Sequence, residues 1–266
     1  MKKITVPDLV KMKSEGRKIP VLTAYNYPMA KILDDAGIPA LMVGDSCGMV
    51  EAGRENTLTV TVDEIIYHTR SVVKGRKNAV VISDMPFGSY QISIVEARRN
   101  AARLVSEGGA EAVKIEGGKR SLRAIKAILD IDIPVMGHIG LTPQSIHAMG
   151  GYRVQGKTEE AAKAIMDDAC ELEKAGVFAI VLEGIPAELA KDITEVLTIP
   201  TIGIGAGPNC DGQVLVLNDL LGLDSLVSPP KYVRRYADLK NIITSAAVEF
   251  VIDVEAGRFP AKEQSY

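Results

Sequence analysis

The chain has 266 residues, 47% hydrophobic and 24% charged, with a formal net charge of −3, an ordinary globular composition whose length permits one large domain, as α/β barrels of this size are, or two small ones. Mild acidity gives no basic face for nucleic acid, and with no Trp and only 4 Phe there is little aromatic surface on which bases could stack. Cys47, Cys170 and Cys210 form no disulfide framework and suit a reducing cytoplasm, while no apolar stretch is long enough to act as a signal peptide after Met1-Lys2-Lys3 or to span a bilayer.

Residues 5–16 read as a helix ahead of the first strand, placed to close the bottom of a barrel. Near-continuous apolar runs then recur at Val21–Ala24, Ala40–Val43, Ala79–Ile82, Ala112–Ile115, Pro134–Met136, Ala179–Leu182, Thr201–Ile204 and Val214–Leu217. Runs rich in Val and Ile without alternation suit strands buried on both faces of a parallel sheet. Helical patterns lie between them. Thr61-Val62-Asp63-Glu64 and Ser93-Ile94-Val95-Glu96 match the capping box, and Thr142-Pro143 places Pro at a first helical position. Thr158 precedes a long helix ending at Gly176, and residues 231–256 read as helical additions that stop at Gly257 and Pro260. No linker or short repeat interrupts the series, so residues 1–266 read as a single domain.

Polar side chains stand where these runs end: Asp45 and Ser46 after the second, Asp84 after the third, Lys114 and Glu116 at the fourth, His138 at the fifth and Glu183 at the sixth. Parallel α/β folds bind ligands beyond the carboxyl ends of their strands. A doubly wound sheet gathers its ligand groups at one switch point, whereas polar groups ending five strands converge only if the sheet closes. The expected architecture is a single (β/α)8 barrel of the TIM type, with an N-terminal helix and C-terminal helical additions.

Asp45, Asp84 and Glu116 put three carboxylates on neighbouring strands, where either their pKa values rise or a cation joins them. Oxygen-only donors select a hard ion such as Mg²⁺, and His138 and His147 lack the spacing of a zinc site. Each acid taken alone is equally well explained as a helix N-cap. Lys114 lies two residues before Glu116 and so on the same side of the sheet; buried there, it needs an anion, whether a substrate carboxylate or a neighbouring acid. His138 is placed to hydrogen-bond a substrate or a carboxylate, and its alternative is an ordinary structural histidine. Glu183 stands apart from the three acids, free to act as a general base or to cap the helix near Pro186. Ser46 can hold a carboxylate or carbonyl oxygen. Gly203-Ile204-Gly205-Ala206-Gly207 is either a phosphate-binding turn or a place of close backbone approach. A metal, a cationic anchor and a separate base together suit proton abstraction next to a ketone, with Mg²⁺ chelating an α-keto acid and stabilising the enolate.

The motifs Val43-Gly-Asp-Ser46, Asp84-Met-Pro-Phe-Gly-Ser-Tyr90, Lys114-Ile-Glu-Gly-Gly118, Gly137-His-Ile-Gly-Leu-Thr-Pro-Gln144, Gly150-Gly-Tyr-Arg-Val-Gln-Gly156, Ile202-Gly-Ile-Gly-Ala-Gly207 and Cys210-Asp-Gly-Gln-Val-Leu-Val216 closely resemble the ketopantoate hydroxymethyltransferase family. The resemblance runs from Thr23 to Pro260 and departs at Asn26, where the family's pattern has Asp. It implies hydroxymethyl transfer from 5,10-methylenetetrahydrofolate to 3-methyl-2-oxobutanoate, giving 2-dehydropantoate for pantothenate and coenzyme A. It also implies one Mg²⁺ per subunit on Asp45, Asp84 and Glu116, with keto-acid contacts on Asp45, Ser46, Asp84 and Lys114 and His138 nearby. Glu183 is then the proton acceptor, and the expected assembly is a cytoplasmic homo-oligomer, a decamer in that family. Two alternatives are weighed beside it. One is a lyase or mutase barrel of the phosphoenolpyruvate-mutase and isocitrate-lyase type, whose lyases carry a Lys-Lys-Cys-Gly-His-type loop that this chain lacks. The other is a non-catalytic binding barrel, which has no need of three acids and a base.

Overall fold

The eight apolar runs fold as eight parallel strands closed in chain order, with β8 paired to β1. They are β1 (Ile19–Thr23), β2 (Ala40–Val43), β3 (Val80–Asp84), β4 (Ala112–Glu116), β5 (Val135–Gly140), β6 (Ala179–Glu183), β7 (Thr201–Ile204) and β8 (Gly212–Leu215). This computed structural model describes residues 2–223 and 229–266; Met1, where the signal-peptide reading begins, lies outside them. All residues of β2, β3, β4 and β7 are buried, as two covered faces require.

Several strand ends differ from expectation: β1 starts two residues early at Ile19, β3 runs on to include Asp84, and β5 and β8 shift as well. β5 runs on to Gly140 and so contains His138 rather than ending before it. The apolar run breaks at Gly137, but the backbone ladder to β6 continues from Met136↔Ala179 to Gly140↔Glu183. Gly140 permits this: its φ is 93°, and a Cβ there would lie 2.3 Å from the Glu183 carbonyl oxygen. β8 begins at Gly212 rather than Val214, and Leu217 already belongs to a helix.

Helix α1 (Val6–Ser14) carries a full capping box between Thr5 and Asp8. Its Leu9 and Met12 join Ile19, Val21, Val80, Ile82 and Val214 in the barrel core, and Ile4 N–H bonds the Asn78 carbonyl just before β3. The helix therefore closes the bottom of the barrel, as read from sequence. The outer layer comprises α2 (Tyr27–Asp35), α3 (Cys47–Val50), α4 (Val62–Gly75), α5 (Ile94–Ser106), α6 (Leu122–Leu129), α7 (Ile146–Met149), α8 (Glu159–Ala175) and α9 (Ala187–Val196). The expected capping box at Thr61 and Glu64 is complete. At Ser93 only half forms: Ser93 accepts the Glu96 N–H, while the Glu96 carboxylate pairs with Arg99 at 3.0 Å instead. Thr142-Pro143 opens a 3-10 turn rather than a full helix, and Gly176 ends α8 in the left-handed conformation. Asn26, the departure from the family pattern, caps α2 by accepting the Met29 N–H at 3.0 Å.

Asp34, 1% exposed in α2, accepts N–H bonds from Lys77 (3.0 Å), Asn78 (2.9 Å) and Ala79 (2.7 Å). Burial alone would raise its carboxyl, but these donors outweigh burial and hold it below its ordinary value. Its stabilisation is thus present at neutral pH and fades as acid takes the pH down through the carboxylate range. Asp34→Ala is expected to cost about 3 kcal/mol, because buried N–H groups lose their acceptor, and urea unfolding at pH 7 measures it.

The chain divides into two compact units, Met1–Val216 and Leu217–Tyr266. The second holds α10 (Leu217–Leu221) and α11 (Leu239–Glu255). Residues 231–238 form turns and irregular backbone rather than the expected helix, since Pro229-Pro230 precedes them and Asp238 supplies the cap of α11 through Asn241 N–H. No residue of α11 is buried, and Ile242, Val248, Phe250 and Val251 are each at least half exposed. Among the described residues no helix is long and apolar enough to cross a membrane.

Candidate active site

Strand parity carries the polar groups to one place. The core residues Val80 and Ile82 lead in steps of two to Asp84, Ala112 leads to Lys114 and Glu116, Met136 to His138, and Ala179 and Val181 to Glu183. The register sets Asp84 beside Lys114 and Glu116 beside His138. Asp45 and Ser46 follow in the turn after β2, and Asp45 N–H donates to Asp84 Oδ2 at 3.0 Å. Asp45, Asp84, Lys114, Glu116 and His138 are all 5% exposed or less. Glu183 retains more access, with 14% of its side chain exposed.

Lys114 finds acids beside it: its ammonium lies 3.3 Å from Asp84 Oδ1 and 3.9 Å from Glu116 Oε1. Burial works against the charge, but Asp84, Glu116 and Asp45 together raise its pKa above the ordinary lysine value. The carboxylates diverge. Burial first, then the charges of Asp84 and Glu116, push Asp45 well above its usual range, and burial likewise raises Asp84. Burial would raise Glu116 also, but His138, Lys114 and the Gln144 N–H bond hold it down.

His138 links the acids to Glu183. Its Nδ1 lies 3.6 Å from Glu116 Oε1 and its Nε2 3.1 Å from Glu183 Oε2, the latter as an ion pair out of hydrogen-bonding alignment. Burial and the Lys114 ammonium, 3.3 Å from Nδ1, both disfavour a charged ring. The two flanking carboxylates outweigh them and raise His138 to about 9. Among the described residues no backbone N–H at the start of α9 donates to Glu183, and the N-cap position is held by Pro186, which has no side-chain cap bond.

Ser46 Oγ shares a 2.8 Å hydrogen bond with the Tyr25 hydroxyl, so the serine is already oriented by a buried phenol. The glycine segment after β7 fits close approach: a Cβ on Gly207 would fall 2.5 Å from the Ala187 Cβ at the start of α9.

Two buried residues were missed from sequence. Gln144 Nε2 donates to Asp45 Oδ2 (2.9 Å) and to the Met85 carbonyl (3.0 Å), while its backbone N–H donates to Glu116 Oε2 (3.0 Å). Tyr90 Oη bonds the Glu116 carbonyl (3.0 Å) and Gln144 Oε1 (2.9 Å). Both residues end motifs quoted above, but no local periodicity distinguishes them.

Whether these groups suit a cation can be judged from the donors. As the side chains stand, no three His, Cys, Asp or Glu among the described residues form a ready ligand shell; Lys114 stands between Asp84 and Glu116. The chemistry of the set nevertheless fits a hard dication. All donors are carboxylate oxygens, and Asp84 Oδ1 is buried without a hydrogen bond. Fully ionised, Asp45, Asp84, Glu116 and Glu183 exceed the charges of Lys114 and the imidazolium by two.

Known proteins resemble the chain in sequence and in fold. A family profile described as ketopantoate hydroxymethyltransferase matches residues 3–262. A 3-methyl-2-oxobutanoate hydroxymethyltransferase from Pelobacter propionicus is 58% identical over 265 residues, covering 100% of this chain and 98% of the relative. One from Geobacter sulfurreducens is 56% identical, covering 98% of each chain. Among solved structures, the fold is similar to a phosphonopyruvate hydrolase in complex with oxalate and Mg²⁺ (TM-score 0.62, 12% identity, 98% of this chain and 93% of that one). It is also similar to 2,3-dimethylmalate lyase (TM-score 0.61, 16% identity, 98% and 91%). With the family profile matched over nearly its whole length, the chain belongs to the ketopantoate hydroxymethyltransferase family and is a transferase of pantothenate synthesis.

Proposed function

We propose that the chain moves a hydroxymethyl group from 5,10-methylenetetrahydrofolate to 3-methyl-2-oxobutanoate, giving 2-dehydropantoate, with water furnishing the hydroxyl oxygen. The observation that carries this reading is the separation of roles among buried charges. Three acids and Lys114 form one interlocked group, while Glu183 stands across His138 from them and is the more accessible carboxylate.

In this reading Asp45, Asp84 and Glu116 hold one Mg²⁺ per subunit. Bound there, Mg²⁺ supplies Lewis-acid polarisation of the keto acid. Asp45, Ser46, Asp84, Lys114 and His138 surround the keto acid; Lys114 brings a positive charge to its carboxylate, and the Ser46 hydroxyl is held in place by Tyr25. Glu183 accepts the proton from C3, and His138 Nε2 lies 3.1 Å from its Oε2. The resulting enolate carbon attacks the one-carbon unit. The exposed apolar side chains of α11 support self-association, read by family resemblance as a decamer, and the pathway's small polar metabolites suit a cytoplasmic enzyme.

The deciding experiment is proton NMR of 3-methyl-2-oxobutanoate in D₂O with the protein and Mg²⁺. The C3 proton signal is expected to disappear, EDTA to block the loss, and product to form once methylenetetrahydrofolate is added. No exchange and no product with any divalent ion would sink the reading.

A further inference from the structure

A cavity opens beside the acid cluster. Its volume is about 550 Å³, and Glu116 and Gln144 form part of its wall. The rest comes from the segment after β3 with the start of α5, from the segment after β4 with the start of α6, and from Ser145 after β5. A five-carbon keto acid needs far less room; cavities of roughly 300–1,000 Å³ suit ligands several times larger.

The lining is divided in character. Phe87 (48% exposed), Ile92 (77%) and Ile94 (41%) present apolar surface to water on one side. Arg120 and Arg123 stand on the other, and both are exposed. On the neighbouring helices Arg70, Arg98, Arg99 and Arg103 each pair with a carboxylate. Arg120 instead donates to the hydroxyls of Ser145 (2.7 Å) and Thr142 (3.3 Å), and Arg123 has no carboxylate partner among the described residues. Two guanidiniums without a carboxylate partner, facing a cavity that also presents Phe87, Ile92 and Ile94, match a ligand with a flat apolar body and a carboxylate-bearing tail. Planar rings also stack on aromatic and guanidinium faces.

The geometry points to this cavity as the site of the one-carbon donor. The inference rests on the folate reading above and adds to it the place and the anchors. The pteridine and benzoyl rings lie against Phe87, Ile92 and Ile94, the reactive end meets the acid cluster at Glu116 and Gln144, and the glutamate carboxylates reach Arg120 and Arg123. One consequence is a division of labour. The keto acid is held by β2–β6, while the donor is held by the segments after β3 and β4.

Direct binding tests this without turnover. Anaerobic fluorescence titration gives Kd for tetrahydrofolate, and for tetrahydropteroate, which lacks the glutamate. Arg123→Glu is expected to weaken tetrahydrofolate binding at least tenfold, and Arg120→Gln combined with it to weaken it further. Tetrahydropteroate is expected to bind the unaltered protein less tightly and to respond little to Arg123→Glu. Lys126→Glu, an exposed charge reversal on the same helix outside the cavity, is expected to bind both as the unaltered protein does. Matching melting temperatures would show that Arg123→Glu folds. If tetrahydrofolate binds the unaltered protein and the arginine variants equally, the cavity assignment fails and the folate reading stands. If the unaltered protein, making product in the NMR assay from another one-carbon donor, binds no tetrahydrofolate, the folate reading fails and takes the assignment with it.

Discussion

Glu183→Gln is expected to bind 3-methyl-2-oxobutanoate within a few-fold of the unaltered protein and to lose turnover by about 10³-fold, the scale of a positioned general base. The substitution keeps shape and volume and removes only the capacity to take a proton. Its amide still faces His138 Nε2, 3.1 Å from the present carboxylate oxygen. Because Glu183 lies outside the group locked together by Lys114 and Gln144, its neutralisation leaves the Asp45, Asp84 and Glu116 contacts in place. The measurement is C3 proton exchange in D₂O beside steady-state rates. Exchange at the unaltered rate would remove Glu183 as the base, whatever happened to product formation.

Asp84→Ala is expected to abolish binding of both Mg²⁺ and the keto acid, read by calorimetry of the keto acid with and without Mg²⁺ and of Mg²⁺ alone. Asp84 has two connections: Oδ1 pairs with Lys114 at 3.3 Å and accepts no hydrogen bond, while Oδ2 takes the Asp45 N–H at 3.0 Å. Removing it leaves the Lys114 ammonium with Glu116 at 3.9 Å and frees the turn that carries Asp45 and Ser46. Breaking a buried pair from one side costs about 3–5 kcal/mol, so the variant is also expected to be less stable. Asp84→Asn separates the two effects, since its amide oxygen can still accept the Asp45 N–H but brings no negative charge. Unchanged Mg²⁺ affinity in a folded Asp84→Asn protein would remove Asp84 from the ligand set.

Interactions within one segment leave a mark in the sequence, and those between segments leave little. The eight runs were legible because burial on both faces leaves a local mark, a Val- and Ile-rich stretch without alternation. Where the mark faded, the boundaries moved. β5 was cut short at Met136 because Gly137 and His138 interrupt the apolar run, although the ladder to β6 continues through them. At Ser93 the capping-box spacing was present, and Arg99 drew Glu96 away. Residues 231–238 followed a helical pattern that the structure does not form.

By itself the sequence determined the barrel, the end of it where the polar groups gather, and the shared face of Lys114 and Glu116, because strand parity is a property of two residues in one segment. The motifs from Val43 to Val216 also determined the family. The tertiary structure alone decided that Lys114 pairs with Asp84, that His138 bridges to Glu183, that Gln144 joins Asp45 to Glu116, and that an arginine-rimmed cavity opens beside them. The physical reason is that these relations join side chains from different strands and loops. Their distances depend on register, side-chain rotamers and barrel closure, and no local run of residues encodes those.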